Sequence, residues 1–250
     1  MILKLLSWLV IAISAALSVL LISVSTQIEW IGLTSIVFVL WIGITLLTKR
    51  TLQWSTLNYI STPIFLWSST FIALLFTEAG LLQYILIGIA TILSGLWLHT
   101  LNYTLHDKRW LIFRGNLISY INSYIIFFTT SSLYAAMVVV EFSFFIAVAI
   151  LLPLVYLLFM HVMLASHLTW RFASFFAIIS MILIAEVFAV LMVLPTSFWV
   201  KGLVVTISFY VVTGLSRCEL TSIISPLLIR RYLIWGAILI TAVLASAPWQ

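Results

Sequence analysis

A carboxylate inside an apolar run is the first feature that asks for chemistry. Glu186 stands in ILIAEVFAVLMVLP, about 13 Å short of Pro195 at the helical rise of about 1.5 Å per residue. An ionised acid in hydrocarbon is costly unless it is neutralised, paired or hydrated. Glu186 is therefore either the centre of an intramembrane polar site or a protonated clamp bonded to a neighbour such as Thr129, Thr130, Ser131, Tyr134 or Tyr210. No second charge is placed within the apolar runs to couple with it.

The histidines are the second candidate group. His99, His106, His161 and His167 all fall toward one end of their apolar runs, with Asp107 beside them. Neutral imidazoles and a carboxylate suit zinc or iron, so these five residues are candidate metal ligands. Their spacing matches no HExxH-type pair, and a histidine at a membrane interface is equally a polar tip on an apolar body.

Two hydroxyl-rich stretches offer a different chemistry. One holds Asn58, Ser61, Thr62, Pro63, Ser68, Ser69 and Thr70; the other holds Asn116, Asn122, Thr129, Thr130, Ser131 and Ser132. They read as the lining of a polar cavity, with Pro63 interrupting its helix, or as hydrogen-bonding glue between helices. Gly88, Thr91 and Gly95, and again Ala237, Thr241 and Ala245, form small-residue faces that read as packing signals. A third stretch, SRCELTSIISPLLIRRY over 216–232, reads as a surface-lying or partly re-entrant piece. Its Arg217, Arg230 and Arg231, with Lys108, Arg109 and Arg114, make a basic face suited to anionic lipid headgroups, or serve topology alone.

Several activities find no support. There is no GxxxxGK, GxGxxG, GxSxG or HExxH motif and no Asp-rich pair for magnesium pyrophosphates. No cofactor is expected. Cys218 is the one cysteine, which excludes an internal disulfide. The net charge of +5 comes from short loops and forms no nucleic-acid patch.

The elements that must position these residues follow from composition. The 250 residues are 65% apolar, 15% aromatic and 7% charged, with a mean hydropathy of +1.31. Eleven basic and six acidic side chains are too few for a water-covered surface, on which about a quarter of residues are charged. The expected fold is an all-α, polytopic integral membrane protein, one transmembrane domain over 1–250 with no soluble domain. A helix needs about 20 apolar residues to cross a bilayer. Nine segments qualify, roughly 5–25, 30–48, 57–76, 80–100, 117–139, 142–163, 172–194, 199–216 and 231–247. A β-barrel is excluded, because VVVEFSFFIAVAILLPLVYLLF does not alternate.

Charge then orients the segments. Lys4, Lys49, Arg50, Lys108, Arg109, Arg114, Arg171, Arg217, Arg230 and Arg231 fall in every second loop, and Lys201 alone falls on the other side, where Glu29, Glu78 and Glu141 lie. Basic loops are retained in the cytoplasm. The expectation is a cytoplasmic N-terminus, an outside C-terminus and residence in the cytoplasmic (inner) membrane. The first segment reads as a retained helix with Ser7, Ser14, Ser18 and Ser25 on one face, not as a cleaved signal. The turn between the fifth and sixth segments is expected at Glu141 rather than at Thr129–Ser132.

The stretch LPTSFWVKGLVVTISFYVVTGLSR, with IRRYLIWGAILITAVLASAPW after it, resembles uncharacterised multi-pass membrane proteins of candidate-phylum, ultra-small bacteria over about 180–249. That resemblance implies a bacterial inner membrane and carries no activity with it. The leading expectation is a non-enzymatic component, either a small-solute or lipid permease or a subunit of a membrane assembly, with membrane lipids, a membrane-protein partner or further copies of the chain as partners. The alternatives are a membrane-embedded enzyme acting on a lipid at the cytoplasmic interface and a structural scaffold.

Overall fold

A computed structural model of the protein describes residues 54–77, 80–102, 108–165, 170–220 and 226–248. Every regular element among them is a helix: α1 Trp54–Leu75, α2 Leu81–Asn102, α3 Lys108–Val139, α4 Phe144–Ala165, α5 Trp170–Met192, α6 Phe198–Leu220 and α7 Pro226–Ser246. Five contain runs long and apolar enough to cross a membrane: Leu117–Val139, Phe144–Met163, Trp170–Met192, Phe198–Arg217 and Ile229–Ser246. The expected segments 5–25 and 30–48 lie outside the described residues. The single domain expected over 1–250 divides into two compact units, parted between Trp110 and Leu111.

In the first unit α1 and α2 pack against each other across a short turn. Pro63 does not interrupt α1, which runs unbroken through it. Gly80, at φ 154°, takes up the backbone angle that reverses the chain, and its carbonyl accepts the Gln83 N–H at 3.1 Å as α2 begins.

The second unit is organised around α3. Of its spanning window 67% is buried, against 6% for α7, so α3 is the central helix and α7 the peripheral one. Helix α3 begins nine residues before the apolar run does, carrying Lys108, Arg109 and Arg114 within its first turns. A hydrophobicity reading stops at the last apolar residue, whereas the helix has no reason to stop there. For the same reason the piece expected to lie on the surface over 216–232 is divided otherwise: α6 continues to Leu220, and α7 starts at Pro226. Proline suits a first helical position because the N–H it lacks would have no partner there.

The turn at Glu141 is present. Helix α3 ends at Val139 and α4 starts at Phe144. Glu141 adopts the left-handed conformation, φ 54°, while the Phe142 N–H reaches back to the Ala136 carbonyl at 3.2 Å. This is the C-terminal cap usually built on glycine. Ser143 then opens α4, its carbonyl accepting the Ala147 N–H at 3.0 Å.

Close approach of helices rests on glycine. Gly202 of α6 lies directly against the Ser131 side chain of α3, and a methyl group there would stand 3.0 Å from the Ser131 backbone nitrogen. Gly236 of α7 meets Val211 of α6. The packing face of α7 runs through Ile229, Tyr232, Gly236 and Ile240, so the small-residue face Ala237, Thr241 and Ala245, one position round, is exposed.

Two consequences can be measured as unfolding midpoints in SDS titrations. Gly202→Ala should cost about 1–3 kcal/mol by forcing α6 off α3, whereas Gly88→Ala, which has open space around it, should cost nothing. Glu141→Gly should gain about 1 kcal/mol by removing a side chain from the left-handed position, and Glu141→Val should lose stability.

Candidate functional site

Glu186 sits on the outward side of α5. The buried face of that helix is Ala173, Ala177, Ser180, Ile184, Phe188 and Leu191. Glu186 belongs instead to an exposed stripe with Phe175, Ile179, Ile182, Val190 and Val193. Among the described residues nothing bonds to its carboxyl. The interior site expected from Glu186 with Thr129, Thr130, Ser131 and Tyr210 is thus not brought together. Thr129, Thr130 and Ser131 are buried on α3, while Tyr210 of α6 is 40% exposed and lies elsewhere.

The hydroxyls of the α3 seam are mostly satisfied at home. Thr130 Oγ1 donates to the Ile126 carbonyl at 2.7 Å and Ser123 Oγ to the Ser119 carbonyl at 2.9 Å. Thr206, Ser208, Thr213 and Ser216 do the same on α6, and Ser69 and Thr70 on α1, both to Leu66. A short hydroxyl in an apolar medium finds the carbonyl one turn back without any partner helix. Neither the cavity reading nor the glue reading describes these residues well. Ser131 Oγ and Ser132 Oγ are buried without a hydrogen bond, and for Ser131 the close approach of Gly202 accounts for it.

Longer polar side chains make the links between helices. Asn122, fully buried, donates through Nδ2 to the Leu158 carbonyl of α4 at 2.8 Å. Tyr134 donates its hydroxyl to the Phe188 carbonyl of α5 at 2.6 Å, with its ring stacked on Phe188 at 4.3 Å. Lys201, the one basic residue out of line with the charge pattern, lies over the Tyr134 ring at 5.6 Å and donates to the Met192 carbonyl at 3.4 Å. That carbonyl is in the last turn of α5, where oxygens lack helical partners and a cation is favoured. Ser197 holds the start of α6 in place, its Oγ accepting the Val200 N–H at 3.4 Å.

At the far end of α6 from Lys201 the polar side chains converge on a small open cavity. Ser119 and Tyr120 of α3, Tyr210, Thr213, Gly214 and Arg217 of α6, and Tyr232 of α7 line about 40 Å³. Arg217 Nη1 donates to Ser119 Oγ at 3.3 Å. The Tyr210 and Tyr232 rings lie 6.3 Å apart. Gly214 makes room for Tyr232, since a methyl group there would be 2.5 Å from Cε1 of that ring. Arg217 is thereby separated in role from the other basic residues. Arg230 and Arg231 are exposed on α7, and Lys108, Arg109 and Arg114 lie on the first turns of α3. Reading residue types alone found the arginine but missed Tyr120, Tyr232 and Gly214, which only the register of three helices assembles.

No group of three or more His, Cys, Asp or Glu that could hold a metal occurs among the described residues. His161 is buried in α4. His99 falls on α2, and His106, Asp107 and His167 lie outside the described residues. Comparison with protein-family models, curated proteins and solved structures gave no match for this chain.

The Tyr134 and Lys201 links can be separated by mutation. Tyr134→Phe keeps the ring and removes the bond to Phe188, with an expected loss of about 0.6–1.7 kcal/mol in an SDS titration. Lys201→Met removes the cation from the same ring. Because the phenyl ring still faces Lys201, the two losses should add to within about 0.5 kcal/mol.

Proposed function

We propose that the chain is a nine-span protein of the inner membrane, cytoplasmic at its N-terminus and outside at its C-terminus, that works as a subunit of a membrane assembly. Nine apolar segments and the alternation of basic loops support the topology. The resemblance of residues 180–249 to membrane proteins of candidate-phylum bacteria supports the choice of membrane.

One observation carries the subunit reading: the exposed Glu186 within the outward stripe of α5. At the centre of a helix an acid costs about 2.5–3.5 kcal/mol against lipid, and Glu186, six residues from the end of α5, bears part of that cost. A neighbouring helix that offers a cation or a hydrogen-bond donor removes that cost, and the flanking Ile179, Ile182 and Val190 supply apolar contact around it. A permease would use Glu186 from inside its bundle, and the buried seam of α3 has no carboxylate among its described residues.

Native mass spectrometry of the protein released from its own membranes, paired with a flux assay in vesicles, separates the two. The subunit reading expects a complex heavier than the 28.3 kDa chain that falls apart in Glu186→Leu while the variant chain stays folded. A monomer of unchanged mass in both, with flux lost in Glu186→Gln, would overturn it in favour of the permease.

A further inference from the structure

Two polar groups on the outward faces of neighbouring helices lie at one depth and do not meet within the chain. We propose that the protein pairs with a second copy of itself through the outward faces of α4 and α5, the Glu186 carboxyl of each copy donating to the Ala149 carbonyl of the other. The inference rests on the subunit reading of Glu186 and names its partner.

The acceptor comes from Pro153. Helix α4 runs unbroken through this proline, which has no N–H, so the carbonyl four residues earlier, that of Ala149, loses its helical partner. In a bilayer a carbonyl freed in this way is met by serine or threonine side chains, by water or by a neighbouring helix. Helix α4 contains no serine or threonine. Ala149 and Pro153 are both exposed, and a helical carbonyl points along the axis toward the next turn. The freed acceptor therefore lies on the outward face of α4.

The donor is Glu186. An acid in hydrocarbon escapes its cost by pairing with a cation or by carrying a proton, and in the second form it has an O–H to give, for which backbone carbonyls are a known partner. Cations of the described residues on α5 and α6 are placed elsewhere: Lys201 is engaged by Tyr134 and Met192, and Arg171 lies in the first turn of α5.

Depth brings donor and acceptor together. Asn122 of α3 reaches Leu158 of α4, and Tyr134 of α3 reaches Phe188 of α5. Counting from these two bonds, with α4 running opposite to α3 and α5 alongside it, Ala149 comes within about one turn, about 5 Å, of the level of Glu186. A two-fold axis along the membrane normal keeps both groups at their depth and makes the contact twice. Ala149 on α4, and Ala185 and Ala189 beside Glu186, are small enough for backbones to come close. Ile146, Ile150, Ile182 and Val190, all exposed, supply apolar contact around them. A foreign helix would meet one of the two groups, whereas a second copy meets both.

The test uses the purified full-length protein alone in phosphatidylcholine vesicles, with pairing read by energy transfer between donor- and acceptor-labelled pools over a series of lipid dilutions. The wild type should pair. Glu186→Leu, which removes the donor, and Pro153→Ala, which gives the Ala149 carbonyl a helical partner, should each weaken pairing by about 10- to 100-fold. Pro153→Ala should at the same time hold or raise the unfolding midpoint, since alanine suits a helix interior better than proline. Glu186→Gln keeps a donor and should pair nearly as well as the wild type. Should Glu186→Leu fail to fold, Pro153→Ala alone decides. A wild type that stays monomeric in vesicles, yet belongs to a heavier complex in its own membranes, overturns the second copy and leaves the subunit reading standing; a monomer in both overturns both. Pairing untouched by Pro153→Ala, or lost as fully in Glu186→Gln as in Glu186→Leu, overturns the contact between Glu186 and Ala149.

Discussion

A helix surrounded by hydrocarbon must close its hydrogen bonds on itself, and that constraint decides which side chains can hold this protein together. Most of the described serines and threonines with a hydrogen bond obey it in the simplest way, by bonding to a carbonyl one turn back. They contribute little to the choice of neighbour. The choice falls to the few side chains long enough to leave their own helix: Asn122 to α4, Tyr134 to α5, Lys201 from α6 to α5, and Arg217 from α6 to α3. Three of these four links involve α3, in keeping with its central place although its spanning run is less apolar than those of α4 and α5. Polar content and burial go together here because most of the buried polar groups have a partner, Ser131 Oγ, Ser132 Oγ and Asn122 Oδ1 being exceptions on α3, and burying them all unsatisfied would be the costly alternative.

Glycine provides the complementary half of the packing. With no hydrophobic force between helices in lipid, van der Waals contact and backbone proximity have to supply the attraction. Gly202 against Ser131, Gly214 against Tyr232 and Gly236 against Val211 are places where an added methyl group would collide with the neighbouring helix. Two of these contacts join α6 to α7, which otherwise has few buried residues. The same Gly214 that fastens α7 also opens the space beside Arg217, so the stability of the last helix and the shape of the cavity share a residue.

What the sequence made legible follows from where hydrophobicity has an edge. The turn at Glu141 could be read because an acid and a break in length coincide there, and the seven described helices coincide with seven of the expected segments. Helix ends were less legible. Lys108 to Arg114 and Ser216 to Leu220 are polar enough to resemble loops, yet they continue α3 and α6. Facing was the least legible property. When a helix is apolar all round, periodicity cannot say which side meets protein and which meets lipid, and this is why Glu186 could be assigned to an interior that it does not join. Tyr134 with Lys201, and Gly214 with Tyr232, depend on the register of one helix against another, for which a single chain offers no local signal.

Lys201 has an implication for the order in which the chain is assembled. A lysine in the first turn of an apolar helix can reach toward the interface and costs less than one at the centre, and partners already in place lower what cost remains. The groups that receive its charge, the Tyr134 ring and the Met192 carbonyl, belong to α3 and α5. Both are synthesised before it. A chain threaded from its N-terminus thus presents Lys201 to a bundle that already holds its partners, whereas a rearranged chain with α6 ahead of α3 would have to insert the same helix with its cation unmet.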